Sequence, residues 1–349
     1  MFALVLALAN PAHAQSIEPY LLTQVWATLY DMDVQEQADP AGYGDPEDDI
    51  GFKVRRARLG FTGSYERMDY GVIVGLSAPA DVIVGRDASE IGLVDAYAGY
   101  TFGDVDNMNT RVSLGVQKVP FGRENLMSIR QNAFEERTVT STHIGDLREV
   151  GALADFQVSG LRVRAGVFNG NSSLYGDTDP AVMAAGRVEY SMGPGDTYET
   201  FGKVDGLTLG VAGDAFFNQQ SSVRNLTYGG DVMLRVSGLS LMLEADLSKL
   251  TPVSTDTYEP VVQQDTMRWG GFAQVGYTVN MLEPMVRVEA FDDDTQSDDN
   301  GDIAIATMGL TGHMLEDHLR LGGGYVLRLE RQGQSLPNDT VRLWSQVKF

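Results

Sequence analysis

Apolar and polar residues alternate one by one along most of this chain. Leu239, Leu241, Leu243, Ala245 and Leu247 interleave with Ser240, Met242, Glu244, Asp246 and Ser248. Leu319, Leu321, Gly323, Tyr325, Leu327 and Leu329 interleave with Arg320, Gly322, Gly324, Val326 and Arg328, and Leu161, Val163, Ala165 and Val167 with Arg162, Arg164 and Gly166. A period of two is the signature of strands with two unlike faces. It predicts about sixteen strands, near 17–30, 50–66, 69–79, 89–102, 109–119, 147–159, 160–170, 179–192, 205–220, 224–237, 238–250, 265–279, 282–292, 301–312, 318–330 and 339–349. Soluble sandwiches also alternate, but with the polar face outward. A membrane barrel inverts this, giving its apolar face to lipid and its polar face to a wet lumen.

The connections between these segments fall into two sets. Arg67-Met68, Ser159-Gly160, Ser237-Gly238 and Asn280-Met281 are tight, whereas 31–49, 120–146, 171–178, 251–264 and 293–300 are long and polar. Short turns at one end and long loops at the other are what an even-stranded bacterial barrel carries. With a periplasmic N-terminus the long loops lie outside the cell. Gly193–Val204 departs from the pattern, being long where a short turn is expected.

No apolar stretch escapes interruption by polar residues, so a membrane can be crossed only by a closed barrel, which pairs every backbone group internally. Met1 to Ala9 is apolar and is followed by Ala12-His13-Ala14, a small-residue cleavage pattern. It predicts a signal peptide over 1–14 and a barrel domain over 15–349. The run is shorter than the roughly 20 residues of a helical span, and no Lys or Arg precedes it.

A net charge of -22 excludes nucleic acid as a partner, because phosphate contacts need a basic face. The chain has no cysteine, consistent with export. Only His143, His313 and His318 remain beyond the leader, and neither Gly-x-Ser-x-Gly nor His-Glu-x-x-His occurs. An enzyme is therefore not expected, and no cofactor is implied.

The chemistry lies on the inward parity. Arg56, Arg58, Arg111, Arg162, Arg164, Arg187, Arg235, Arg268, Arg287 and Arg320 fall there, with Asp95, Asp155, Glu189, Asp214, Asp231, Glu244, Asp246 and Glu289. Guanidinium groups along a lumen bind carboxylate or phosphate in a fork and would favour small anions. The same arginines could instead pair with the inward acids and brace the wall. Inward glycines at 71, 75, 99, 115, 166, 210, 322 and 324 are expected to leave room for water. Loop 120–146 holds Arg123, Glu124, Arg130, Glu135, Glu136 and Arg137. It is expected to fold into the barrel as a constriction, with a short helix over 124–137, since non-helical backbone is tolerated at membrane depth only where it lines water or protein.

Acidic runs mark two loops, at Asp45, Glu47, Asp48, Asp49 and at Asp292-Asp293-Asp294 to Asp302. Asp298, Asn300 and Asp302 are a weak candidate for a hard cation. Solvated loops that keep neighbours apart, or that dock a partner on a non-conducting or cation-preferring scaffold, are the other readings. Tyr20, Trp26, Tyr70, Tyr100, Tyr190, Trp269 and Tyr277 are candidates for interfacial belts. Phe349 ends an alternating strand, which resembles the signal read by the barrel-insertion machinery.

Arg55-Arg56-Ala57-Arg58-Leu59-Gly60-Phe61-Thr62-Gly63, Gln117-Lys118-Val119-Pro120-Phe121-Gly122-Arg123-Glu124 and Val167-Phe168-Asn169-Gly170, with Phe349, resemble the phosphate-selective porin O/P family. The resemblance implies an all-β transmembrane antiparallel barrel of about 16 strands with a constricting third extracellular loop. It also implies a homotrimer in outer-membrane lipid and lipopolysaccharide, and an arginine ladder leading to an anion site. Phosphate-specific members add a lysine cluster in the vestibule. Here Lys53, Lys118, Lys203, Lys249 and Lys348 are scattered. The expected function is a water-filled channel for small hydrophilic solutes, preferring anions.

Overall fold

The computed structural model describes residues 15–31, 50–77, 91–104, 108–145, 148–171, 182–253, 262–299, 301–333 and 339–349. The expected leader, the acidic run 45–49 and Asn300 lie outside the described residues. The strands are β1 (Gln15–Asp31), β2 (Gly51–Tyr65), β3 (Met68–Ser77), β4 (Ile91–Asp104), β5 (Met108–Lys118), β6 (Arg148–Val158), β7 (Leu161–Phe168) and β8 (Val182–Met192). They continue as β9 (Val204–Gln219), β10 (Val223–Ser237), β11 (Leu239–Pro252), β12 (Thr266–Tyr277), β13 (Leu282–Asp292), β14 (Ile303–Met314), β15 (Leu319–Glu330) and β16 (Thr340–Lys348).

Each strand pairs antiparallel with its sequence neighbours, and β1 pairs with β16, so the sheet closes into a barrel with no free edge. Among the described residues no helix is long and apolar enough to span a bilayer, and the strands do the spanning. Ser159 and Gly160, both at positive φ, make the β6–β7 hairpin, a two-residue turn whose twist matches that of the strands.

The inverted alternation is plain in β13. Leu282, Val286 and Val288 are exposed, while Glu283, Met285, Arg287, Glu289 and Phe291 between them are buried. The exposed apolar parity is the lipid face. At the end that carries the termini it finishes in exposed Tyr65, Tyr100, Phe102, Tyr190, Tyr277 and Phe349, the aromatic girdle of a membrane barrel. Trp26 departs from the expected belt. It is fully buried on the inward face, with the guanidinium of Arg342 3.9 Å from its ring.

The period of two fails at one place that matters. A bulge in β2 inserts Arg55 between Val54 and Arg56, the successive register partners of Val25 and Gln24, so Arg55 and Arg56 both turn inward and are buried. Loop 120–145 lies inside the barrel, but its helical content is one turn, α1 (Arg123–Leu126), and a π-turn over Ser141–Gly145. The helix expected over 124–137 does not form. Its backbone and side chains bond across to the walls, which spaces them as an extended strap.

Candidate functional site

The strap is docked by wall carboxylates and guanidinium groups. The N–H of Gly122 donates to Asp214 at 3.0 Å, and those of Arg123 and Glu124 to Glu244 at 2.7 and 3.0 Å. Gly122 sits at φ 66, where glycine is favoured. Arg123 is fully buried and bonds Asp231 at 2.6 Å, Glu189 at 3.1 Å and the carbonyl of Thr197 at 3.0 Å. Glu124 accepts from the hydroxyl of Thr138 at 2.6 Å and lies 3.6 Å from Arg287, which pairs with Glu289 at 2.8 Å.

Further on, Glu135 meets Arg342 at 3.0 Å, and Glu136 meets Arg55 at 2.8 Å and Arg56 at 2.5 Å. The Arg130 carbonyl accepts from Lys348 at 2.9 Å, and its guanidinium lies over Tyr20 at 4.7 Å. Arg137 donates to the carbonyls of Asn125 and Met127. The strap therefore crosses the lumen from β5 to the β16–β1–β2 wall.

Most of the inward arginines are consumed by this docking or by the wall. Arg187 is fully buried and bridges Asp214 and Asp231. Arg164 bonds Glu189 at 2.9 Å. Arg235 donates to the carbonyls of Asp196, Phe201 and Gly202. Arg320 bonds Asp317 at 2.6 Å and the carbonyl of Asn132 at 2.9 Å. Arg58 is buried on β2, and Arg268 is half-buried on β12. Arg111 and Arg162 keep water contact: the side chain of Arg111 is 25% exposed beside Asp69, and that of Arg162 is 35% exposed beside Asp155.

These two border the open space. A cavity of about 810 Å³ opens at the turn end, under the connection 193–203. Two others adjoin along the β2–β8 wall. One of about 560 Å³ is lined by Asp69, Asp95, Tyr97, Arg111, Lys118, Asp155, Arg162 and Arg164, and one of about 430 Å³ shares Asn109, Gln157 and Arg162 with it. They form a crescent on one side of the lumen. The strap borders this crescent through Leu126, and its Val119, Phe121, Val139 and Ile144 cluster with Phe168, Phe216 and Phe291 of the walls. Four cations border the 560 Å³ cavity, Arg111, Lys118, Arg162 and Arg164, against three carboxylates, Asp69, Asp95 and Asp155.

The inward glycines do not simply face water. A Cβ on Gly210 would lie 3.0 Å from the Arg123 guanidinium, one on Gly99 2.8 Å from that of Arg111, and one on Gly322 2.2 Å from the Trp344 ring. They admit side chains of the neighbouring strands and of the strap. Among the described residues no three acidic or histidine side chains gather to hold a metal. Asp298 is exposed and Asp302 buried, so these two members of the acidic run face different surroundings.

A second inward segment, the connection 193–203, showed in the sequence only as an unexpected length, and the clamp beside it left no sign there. There Asp317 accepts from Arg320 at 2.6 Å, from His313 at 2.6 Å and from Lys348. Burial would raise the Asp317 carboxyl, but these donors hold it well below the usual carboxylate range. Its stabilising contribution is thus complete above its unfolded value of about 3.9 and is lost as pH falls through the depressed folded value. Asp317→Asn is expected to lower the urea midpoint at pH 7 and to lower it less at strongly acidic pH. An equal loss at both would show that the charge is not what matters.

The phosphate-selective porin O and P family matches residues 29–224, more than half of the chain. The chain belongs to that family. This porin is a pore-forming channel of the bacterial outer membrane, and family and fold point to a channel rather than an enzyme. No curated protein sequence matches it. Solved structures share the fold of this porin. A loop L8 deletion form of OmpT, an outer membrane protein of Vibrio cholerae, has a TM-score of 0.64 at 10% identity, over 96% of this chain and 100% of that one. OmpF of Salmonella typhi has 0.62 at 12% identity, over 98% and 99%. An anion-selective porin from Comamonas acidovorans has 0.61 at 14% identity, over 96% and 100%.

Proposed function

We propose that this porin passes small hydrophilic solutes along the crescent beside β2–β8, with a weak preference for anions, its turn end facing the periplasm. The observation that carries the reading is the surplus of one cation in the lining of the 560 Å³ cavity, where Arg111 and Arg162 keep water contact. Low-dielectric walls focus the field at a narrow point, so a few lumen charges outweigh many in the outer loops. The loop acids at Asp293, Asp294, Asp298 and Asp299 sit at the rim of the loop end, where salt screens them beyond about 8 Å. The scattered lysines favour small oxyanions and carboxylates as a class over a dedicated phosphate site.

The test is a planar bilayer recording of the purified protein under a salt gradient. Open-channel currents are expected, with a reversal potential on the anion side. Conduction with a reversal potential on the cation side would sink the anion preference. A folded, inserted protein without currents would favour the scaffold reading.

A further inference from the structure

The connection between β8 and β9 does not project from the barrel as the neighbouring turns do. It runs from Gly193 to Lys203 and folds back into the turn end of the lumen. Arg235 grips it through the carbonyls of Asp196 at 2.9 Å and Phe201 at 2.7 Å. The N–H of Gly202 donates to the Thr278 hydroxyl at 3.0 Å, and the N–H of Gly195 to that of Thr208 at 2.9 Å. The Phe201 ring stacks on His313 with centroids 3.4 Å apart. These bonds come from β9, β10, β14 and the turn after β12, so the segment is held on several sides.

Its tip reaches the strap. The carbonyl of Thr197 accepts from Arg123 at 3.0 Å, and the Tyr198 ring lies under the guanidinium groups of Arg123 and Arg164 at 4.9 and 5.7 Å. The Tyr198 hydroxyl accepts from Arg164 at 2.5 Å and donates to Glu189. The ring also packs against the cluster of Met127, Met233, Met242 and Phe272, in which Met127 belongs to the strap. Thr197 and Tyr198 then border the 430 Å³ cavity, across from Asn109, Gln157 and Arg162.

We propose that residues 193–203 form a second constriction of this pore, toward its turn end, with Tyr198 as the residue that sets its width. The proposal rests on the crescent being the permeation route. A solute leaving the 560 Å³ cavity has Arg162 with Asp155 on one side and Thr197 and Tyr198 on the other, with Glu189 and Asp196 in the same lining. Thr197 and Tyr198 themselves carry no charge, so they bring size and hydrogen bonding to this constriction, and replacing Tyr198 leaves the charges of the route in place.

Two narrow points in series add their resistances. If they are comparable, removing one raises conductance roughly twofold and leaves the ion preference where it was. Tyr198→Ala in the full-length protein is expected to do this in planar bilayers. Because the chain has no cysteine, Tyr198→Cys supplies a single thiol. A small charged thiol reagent added on the turn-end side is expected to reduce its current and to leave the wild type unaffected. Unchanged conductance in Tyr198→Ala overturns the proposal, and so does a Tyr198→Cys thiol that the reagent never reaches. Should Tyr198→Ala fail to insert, the thiol result alone decides. A wild-type protein that inserts without conducting would instead remove the permeation reading on which this one rests.

Discussion

Replacing Arg187 with methionine is expected to destabilise the barrel by about 3–5 kcal/mol, the range for removing one partner of a buried charge network. Arg187 is fully buried and bridges Asp214 and Asp231, with Glu189 at 3.6 Å. Without it Asp231 keeps Arg123, and Glu189 keeps Arg123 and Arg164. Asp214 keeps only the N–H of Gly122. A carboxylate left in that position, next to Asp246 across Gly229, has no cation and little water. Methionine fills much of the volume, so the loss reads charge rather than a cavity. The measurement is a urea titration of folding into lipid vesicles. Asp214→Asn added to the variant should recover part of the loss, because it removes the stranded charge. A single variant with wild-type stability would show that Arg187 is not the hub of this wall.

The same residues show how far the sequence could be read. Sixteen strands, their order and the inward parity of nearly every arginine follow from a period of two, because one face must meet lipid and the other must not. The inward folding of loop 120–145 was legible too, from its length and its lack of alternation. What the pattern could not show was partnership. Arg111 and Arg187 look alike in the sequence, each an inward arginine on an alternating strand. One stands at the water edge beside Asp69, and the other is sealed under the strap between Asp214 and Asp231. That difference depends on where a loop without periodicity comes to rest. Arg55 was missed because a bulge breaks the period that carried the argument. The inward turn 193–203 was visible only as an anomaly of length. Tyr198 gains its meaning from Arg123 and Arg164, which are distant in sequence.

That division between sealed and wet arginines carries the second large effect. Arg111→Gln together with Arg162→Gln is expected to move the reversal potential across zero, to the cation side. The 560 Å³ cavity would then be bordered by Lys118 and Arg164 against Asp69, Asp95 and Asp155. Glutamine keeps a donor for each stranded carboxylate, so the fold should survive better than with alanine. Adding Asp69→Asn and Asp155→Asn removes the two partners with their arginines and should bring the potential back toward the wild type. Arg56→Gln is the contrast. Arg56 is fully buried and bonds Gln24 at 2.7 Å, the carbonyl of Glu135 at 3.1 Å and Glu136 at 2.5 Å. It faces the strap and does not border the crescent. Its loss should loosen the strap, raising current noise or conductance, and leave the sign of selectivity unchanged. Salt dependence separates the two cases further, since an effect at the water-exposed pair should shrink as ionic strength rises. If Arg56→Gln shifts the potential and the double glutamine variant does not, solutes pass on the other side of the strap. The crescent would then be a dead-end cavity.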